Sequence, residues 1–200
     1  MRQRTRISVA VAGVALLAAL TGCGGGQEGQ ARPADGTTSA TSAPGTSTPS
    51  GERLAPPVGD PRDASGVAPC DLLKPDAATR LGFTPPGQPL SDPSFKPCRW
   101  RGPNGAGVSV FADTGRQGLS EVYKQKSRFR DFRPVTLAGG HPAVFANDVE
   151  SDVECAVYAG VADTQAVVVS NLRPTSDRAN PCEKARLVAE AVIAGLPAGK

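Results

Sequence analysis

The chain has 200 residues, of which 22 are Lys or Arg, 19 are Asp or Glu and one is His, for a formal charge of +3. Residues 1–22 hold three arginines and no acid, so a chain cut after Gly22 carries 19 charges of each sign; that balance gives no overall electrostatic case for nucleic acid. A single histidine and the absence of any C-x-x-C spacing also argue against a zinc site.

The first element is a basic start, Arg2, Arg4 and Arg6, followed by an apolar run from Ile7 to Leu20. These are the parts of a secretory signal, and the run is shorter than the roughly 20 apolar residues of a membrane-spanning helix. It closes on Leu20-Thr21-Gly22-Cys23, which looks like a bacterial lipobox. The reading is that the Cys23 thiol receives a diacylglyceryl group and the chain is cut just before it. Each buried methylene adds about 0.8 kcal/mol of membrane affinity, so two or more acyl chains make a durable anchor. The plainer alternative is a chance cysteine after an ordinary signal.

From Gly24 to Gly66, Gly, Ser, Thr, Pro and Ala dominate, without an aromatic residue. Such a composition cannot bury enough apolar surface to offset its ordering entropy. Residues 23–66 therefore read as a lipidated, disordered tether, able to hold a domain roughly 35 Å from its anchor. Thr37 to Ser50 has the Ser/Thr/Pro character of a glycosylated stalk.

Residues 67–200 are long enough for one domain with its own core. Pro75 and Gly82 bracket a short helix over 75–81, and a Pro/Gly-rich loop spans Thr84 to Pro97. Cys98 to Arg101 and Gly107 to Phe111 flank a turn and read as a hairpin. Leu119, Val122, Tyr123, Phe129 and Phe132 have near-helical spacing and predict a helix over 118–132. Four strands follow, at 134–137, 143–146, 153–161 and 165–172, with Gly139-Gly140 supplying a positive-φ turn. Val153, Cys155, Val157, Ala159 and Val161 share one face, while Val167-Val168-Val169 is apolar on both faces and belongs at the centre of a sheet. Asp163-Thr164 makes a tight link between the last two strands. Asn180, Pro181 and Glu183 open a final helix that Gly195 and Pro197 end. The order predicts an α+β domain, an antiparallel sheet of about six strands packed against two or three helices.

With Cys23 acylated, Cys70, Cys98, Cys155 and Cys182 remain. Four cysteines in an exported domain imply two disulfides with three possible connectivities. Cys70–Cys98 and Cys155–Cys182 are favoured because each closes a moderate loop, which contributes roughly 3–4 kcal/mol in the chain-entropy model.

The lipobox, the Ser/Thr/Pro stalk, Cys70-Asp71-Leu72-Leu73, Cys98-Arg99-Trp100, Leu137-Ala138-Gly139-Gly140-His141-Pro142-Ala143, Cys155, and Cys182 opening a helix that ends Gly195-Leu196-Pro197 occur in an order that resembles the actinobacterial lipoproteins grouped as domain of unknown function 3558. The resemblance implies an exported, membrane-anchored protein. It brings no activity, ligand or catalytic residue.

Chemistry is sparse. His141 is the only candidate general base, for a serine such as Ser170 or Ser109, yet no nucleophile-elbow context is present; a turn residue is the plainer reading. Asp148, Glu150, Asp152 and Glu154 alternate between two strands and would suit calcium, but the EF-hand pattern is missing and a solvated hairpin tip explains them. Residues 116–133 hold six basic and two acidic residues. Among these, Lys124, Lys126, Arg128 and Arg130 are candidates for contact with anionic headgroups or wall polymer, at about 1 kcal/mol each near a charged surface. Trp100 and Tyr158 are candidates for a pocket lining, with core packing the plainer reading.

The sequence thus leads to a lipoprotein on the extracytoplasmic face of the cell membrane, anchored through Cys23, with no cofactor and no metal. The expected role is non-enzymatic binding or scaffolding with an envelope protein or wall polymer as partner. A small-molecule or peptide carrier associated with a transporter is the alternative, and an envelope hydrolase using His141 the third.

Overall fold

The structure, a computed structural model, describes residues 53–92, 94–173 and 180–199. The stretch expected to be a signal, the expected lipidation site Cys23 and the expected tether up to residue 52 lie outside the described residues. Among those described, no helix is long and apolar enough to cross a membrane.

Seven strands form one antiparallel sheet. They are β1 (Thr84–Pro89), β2 (Cys98–Arg101), β3 (Gly107–Asp113), β4 (Asp131–Thr136), β5 (Pro142–Asn147), β6 (Glu154–Ala162) and β7 (Gln165–Leu172). Their spatial order is β1-β2-β3-β7-β6-β5-β4. The valine-rich β7 takes the central place, antiparallel to β6 across a tight turn, as its two-sided apolar pattern requires. Three helices accompany the sheet: α1 (Pro75–Arg80), α2 (Leu119–Lys124) and α3 (Pro181–Gly195). Asn180 caps α3 by accepting from the Cys182 amide at 2.9 Å.

The structure corrects three of the expected elements. The stretch read as a loop from Thr84 contains a strand, β1, so the sheet has seven strands rather than six. Prolines at 85, 86 and 89 disguise it, and they are tolerated because β1 is an edge strand with one neighbour only. Gly87 is needed there: a Cβ on it would lie 2.5 Å from the Trp100 ring and 2.6 Å from the Cys98 sulfur. The helix expected over 118–132 stops at Lys124, continues as a short 3-10 turn over Lys126–Arg128, and gives way to β4 at Asp131. Phe129 and Phe132 still join Leu119, Val122 and Tyr123 in one apolar cluster. Their spacing is therefore satisfied by a chain that turns back, and the six-residue ladder of β4 with β5 wins over further helix.

The third correction concerns the domain's edge. Residues 53–66, assigned by composition to the tether, pack on the folded unit. The Ala55 amide donates to Ser120 Oγ at 3.2 Å and the Ala64 amide to Gln165 Oε1 at 2.8 Å. The Arg62 amide donates to the Val161 carbonyl at 2.6 Å, and Arg62 bridges to Ala198. Backbone hydrogen bonds and two small buried side chains, Ala55 and Ala64, hold this segment. Composition scales that count large apolar residues miss such a strap.

Successive strand residues point to opposite faces. On one face Cys155, Val157, Ala159 and Val161 of β6 and Val167 and Val169 of β7 are all fully buried against Ala185, Val188, Ala189 and Val192 of α3. Leu72, Leu73, Ala78 and Trp100 extend the same core toward β2. Burying one such valine or leucine contributes about 1.5–3 kcal/mol. Both favoured disulfides are present, Cys70–Cys98 and Cys155–Cys182, each with Cα atoms 5.0 Å apart. The second fastens the first turn of α3 to β6. Both outer strands carry proline, three in β1 and Pro134 in β4, which discourages pairing with another sheet.

Candidate functional site

The second face of the sheet is only half covered. α2 and the turn after it lie over the β5–β6 side of the sheet, where Val144, Ala146 and Tyr158 pack with Leu119, Val122, Phe129 and Phe132. Gly118, at φ 53°, starts α2 hard against the β6–β7 turn: a Cβ there would sit 2.8 Å from the Gln165 nitrogen and 3.0 Å from the Asp163 oxygen. Only glycine fits this approach. Between α2, the β5–β6 loop and the end of the β1–β2 loop, the sheet stays open as a groove of about 530 Å³. That is within the usual size of a small-molecule site.

The floor explains why a groove exists. Ala146, Ala156, Ala166 and Val168 line it, and these side chains are too short to fill the space up to α2. Phe111 of β3, Val168 of β7, Tyr158 of β6 and Val144 of β5 stand in one cross-strand row. Aromatic pairs mark its two ends: Phe95 with Phe111, ring centroids 4.8 Å apart, and Phe129 with Tyr158, 6.1 Å apart. Val149, 61% exposed, stands on the rim of the β5–β6 loop. Asn147 supports that rim by accepting from the Ala156 amide at 2.8 Å and donating to Asp131 at 3.0 Å.

Six charged residues line the groove. Arg116 lies 3.5 Å from Asp113 and its guanidinium sits 5.2 Å from the Phe95 ring centre. Glu121 accepts from Gln125 at 3.0 Å and lies 3.8 Å from Lys124, while Arg128 donates to Gln125 at 2.6 Å. Asp148 and Glu154 form no ion pair among the described residues; Glu154 accepts from the Ser170 hydroxyl at 3.2 Å. Burial raises the Tyr158 phenol above its ordinary pKa, and the Asp148 charge raises it further against a smaller opposing effect of Arg128. Outside the groove, Arg133 holds the Asp131 carboxyl below its ordinary pKa.

The residues singled out from the sequence are distributed as follows. Tyr158, Asp148, Glu154 and Arg128 reach the groove, whereas Trp100 is buried in the opposite core. Glu150 and Asp152 stay on the exposed loop, and among the described residues no group of three or more His, Cys, Asp or Glu side chains is placed to hold a metal ion. Lys124, Lys126, Arg128 and Arg130 are exposed but do not share a helix face. They fall on the end of α2, the 3-10 turn and the approach to β4. Lys124 also bonds Gln117, and Lys126 lies 5.3 Å from the Phe132 ring centre.

His141 is buried, and its Nδ1–H donates to the Gly160 carbonyl at 3.1 Å. Gly160 faces Ala166 across β6 and β7, whereas Ser170 lies four residues further along β7 with Ser109 opposite it. At about 3.3 Å per residue that is roughly 13 Å, so neither serine is a partner for this histidine. Phe95, Phe111, Ala156 and Val168 were not singled out from the sequence. For Phe111, Ala156 and Val168 the signal is the other half of the strand alternation, the residues between those of the core face; Phe95 sits in the β1–β2 loop, where no such pattern exists.

A family model described as "Protein of unknown function (DUF3558)" matches residues 18–195. No curated protein and no solved structure matches the chain.

Proposed function

The chain belongs to the DUF3558 family, and from that premise we propose that it is a lipid-anchored binding protein of the cell envelope, whose recognition site is the groove on the open sheet face. The observation that carries the binding half is the groove itself, a 530 Å³ space with an aromatic and aliphatic floor. Its size suits a small molecule or a short peptide. That favours a carrier over a scaffold that meets its partners through flat surfaces. For the anchor, the support is the basic start, the apolar run and Leu20-Thr21-Gly22-Cys23, and the matched span includes that cysteine.

Two measurements test the proposal. Intact-mass analysis of membrane-extracted protein is expected to show a chain starting at Cys23 with a diacylglyceryl addition; an unprocessed chain would contradict the anchor. Native protein purified from its own membranes and then denatured is expected to release a small-molecule component. An Ala156→Leu protein, with the groove floor filled, should lack it; identical extracts from the two would contradict the groove as the site.

A further inference from the structure

We infer that the groove takes a cationic amphiphile, an amine carried on an apolar body; this rests on the groove being the ligand site. Some of the groove's charges are already compensated and some are not. Of the two basic residues of the lining, Arg116 lies beside Asp113 and over Phe95, whereas Arg128 bonds the neutral Gln125 and has no acidic partner among the described residues. Of the four carboxylates, Asp113 and Glu121 have basic neighbours at 3.5 and 3.8 Å. Asp148 and Glu154 have none among the described residues, and both are exposed at the same wall. Two uncompensated carboxylates thus stand against the one uncompensated guanidinium of Arg128, so the free charge of the lining is net negative, with its negative part gathered on the β5–β6 side.

The apolar part of the site agrees. Tyr158 and Phe129 stand next to that wall, and aromatic faces attract cations. The alanine floor leaves room for an aliphatic or aryl body, which the Phe95–Phe111 pair closes at the far end. An anionic ligand of the same shape would meet two unanswered carboxylates. A neutral one would leave them with water and gain from the floor alone.

The test uses three probes of one shape, 4-phenylbutylamine, 4-phenylbutanol and 4-phenylbutyrate, titrated into the full chain and followed by methyl-detected NMR. The amine is expected to bind about tenfold more tightly than the alcohol, the combined size of one exposed charge pair and one ring-face contact. The butyrate should bind more weakly than the alcohol. The amine's advantage should shrink as salt is raised, because the charges are solvent-exposed. In the double variant Asp148→Asn, Glu154→Gln the amine should lose most of its advantage over the alcohol, keeping only the part due to the ring faces, while the alcohol is unchanged. Equal affinities for amine and alcohol, or tightest binding of the butyrate, would overturn the cationic class while leaving the groove as a ligand site. No groove methyl shifting with any of the three would overturn the groove reading and this inference together.

Discussion

The two faces of the sheet are made by alternate residues of the same strands, yet they end in opposite states. In β6 the odd-numbered residues, Cys155 to Val161, meet α3 and are fully buried, while Glu154, Ala156 and Tyr158 between them look onto the groove. The difference lies in the covering helix. α3 has fifteen residues and a continuous apolar stripe, capped by Asn180 and fastened by the Cys155–Cys182 bridge. α2 has six residues and ends where the chain is drawn into β4. A long helix closes its face; a short one that turns away leaves room. Stability thus resides on the closed face and the proposed recognition on the open one, so substitutions on the two faces should separate in their effects.

The largest expected effect is on the closed face. Trp100→Ala should lower unfolding free energy by about 3–5 kcal/mol, measured by denaturant titration, without altering probe binding in the groove at temperatures where the variant is folded. Next is removal of the bridge that fastens α3. The Cys155→Ala, Cys182→Ala pair should cost roughly 3 kcal/mol in the same assay. A smaller effect gives the sharpest contrast. Ala189→Leu, at a fully buried position facing the sheet, should destabilise by about 1–3 kcal/mol through overpacking. Ala156→Leu, the same change on the groove floor, should stay within about 0.5 kcal/mol and abolish binding. Comparable losses of stability from both would mean that the open face is packed like the other.

The smallest effect concerns the rim. Arg133 first, with Asn147 adding to it, holds the Asp131 carboxyl below its usual 3.8. A depressed folded pKa contributes stability that is complete above the unfolded value and is lost as pH falls through the folded one. Asp131→Asn should therefore cost a few tenths of a kcal/mol at neutral pH, as exposed pairs do, and the two proteins should converge well below pH 3.8.

Much of this architecture was legible in the residues. The α+β class, the central β7, the β6–β7 hairpin, the α3 cap and both disulfide pairs followed from alternation, turn chemistry and loop length. β1 was hidden because its prolines suppress every strand signal except position at a sheet edge. The end of α2 was hidden because Phe129 and Phe132 sit at helical spacing yet reach the same cluster from a turn and a strand. The strap before residue 67 is held by backbone hydrogen bonds, which carry no composition. The groove was the least legible feature. Its floor is defined by small side chains under a helix that stops early, a property of how elements end rather than of any motif. Of the two pocket-lining candidates in the sequence, Trp100 and Tyr158, Tyr158 reaches it.

The most direct test of the two-faced sheet is a carbon-13 methyl NMR titration of the full chain with the neutral 4-phenylbutanol, which does not depend on the charge of the rim. The methyls of Ala156, Ala166 and Val168 are expected to shift in a saturable manner, while those of Val157, Val167 and Val169, their neighbours in the chain, stay fixed. Equal movement of both sets, or movement confined to the second, would contradict the division of the sheet into a closed and a receiving face.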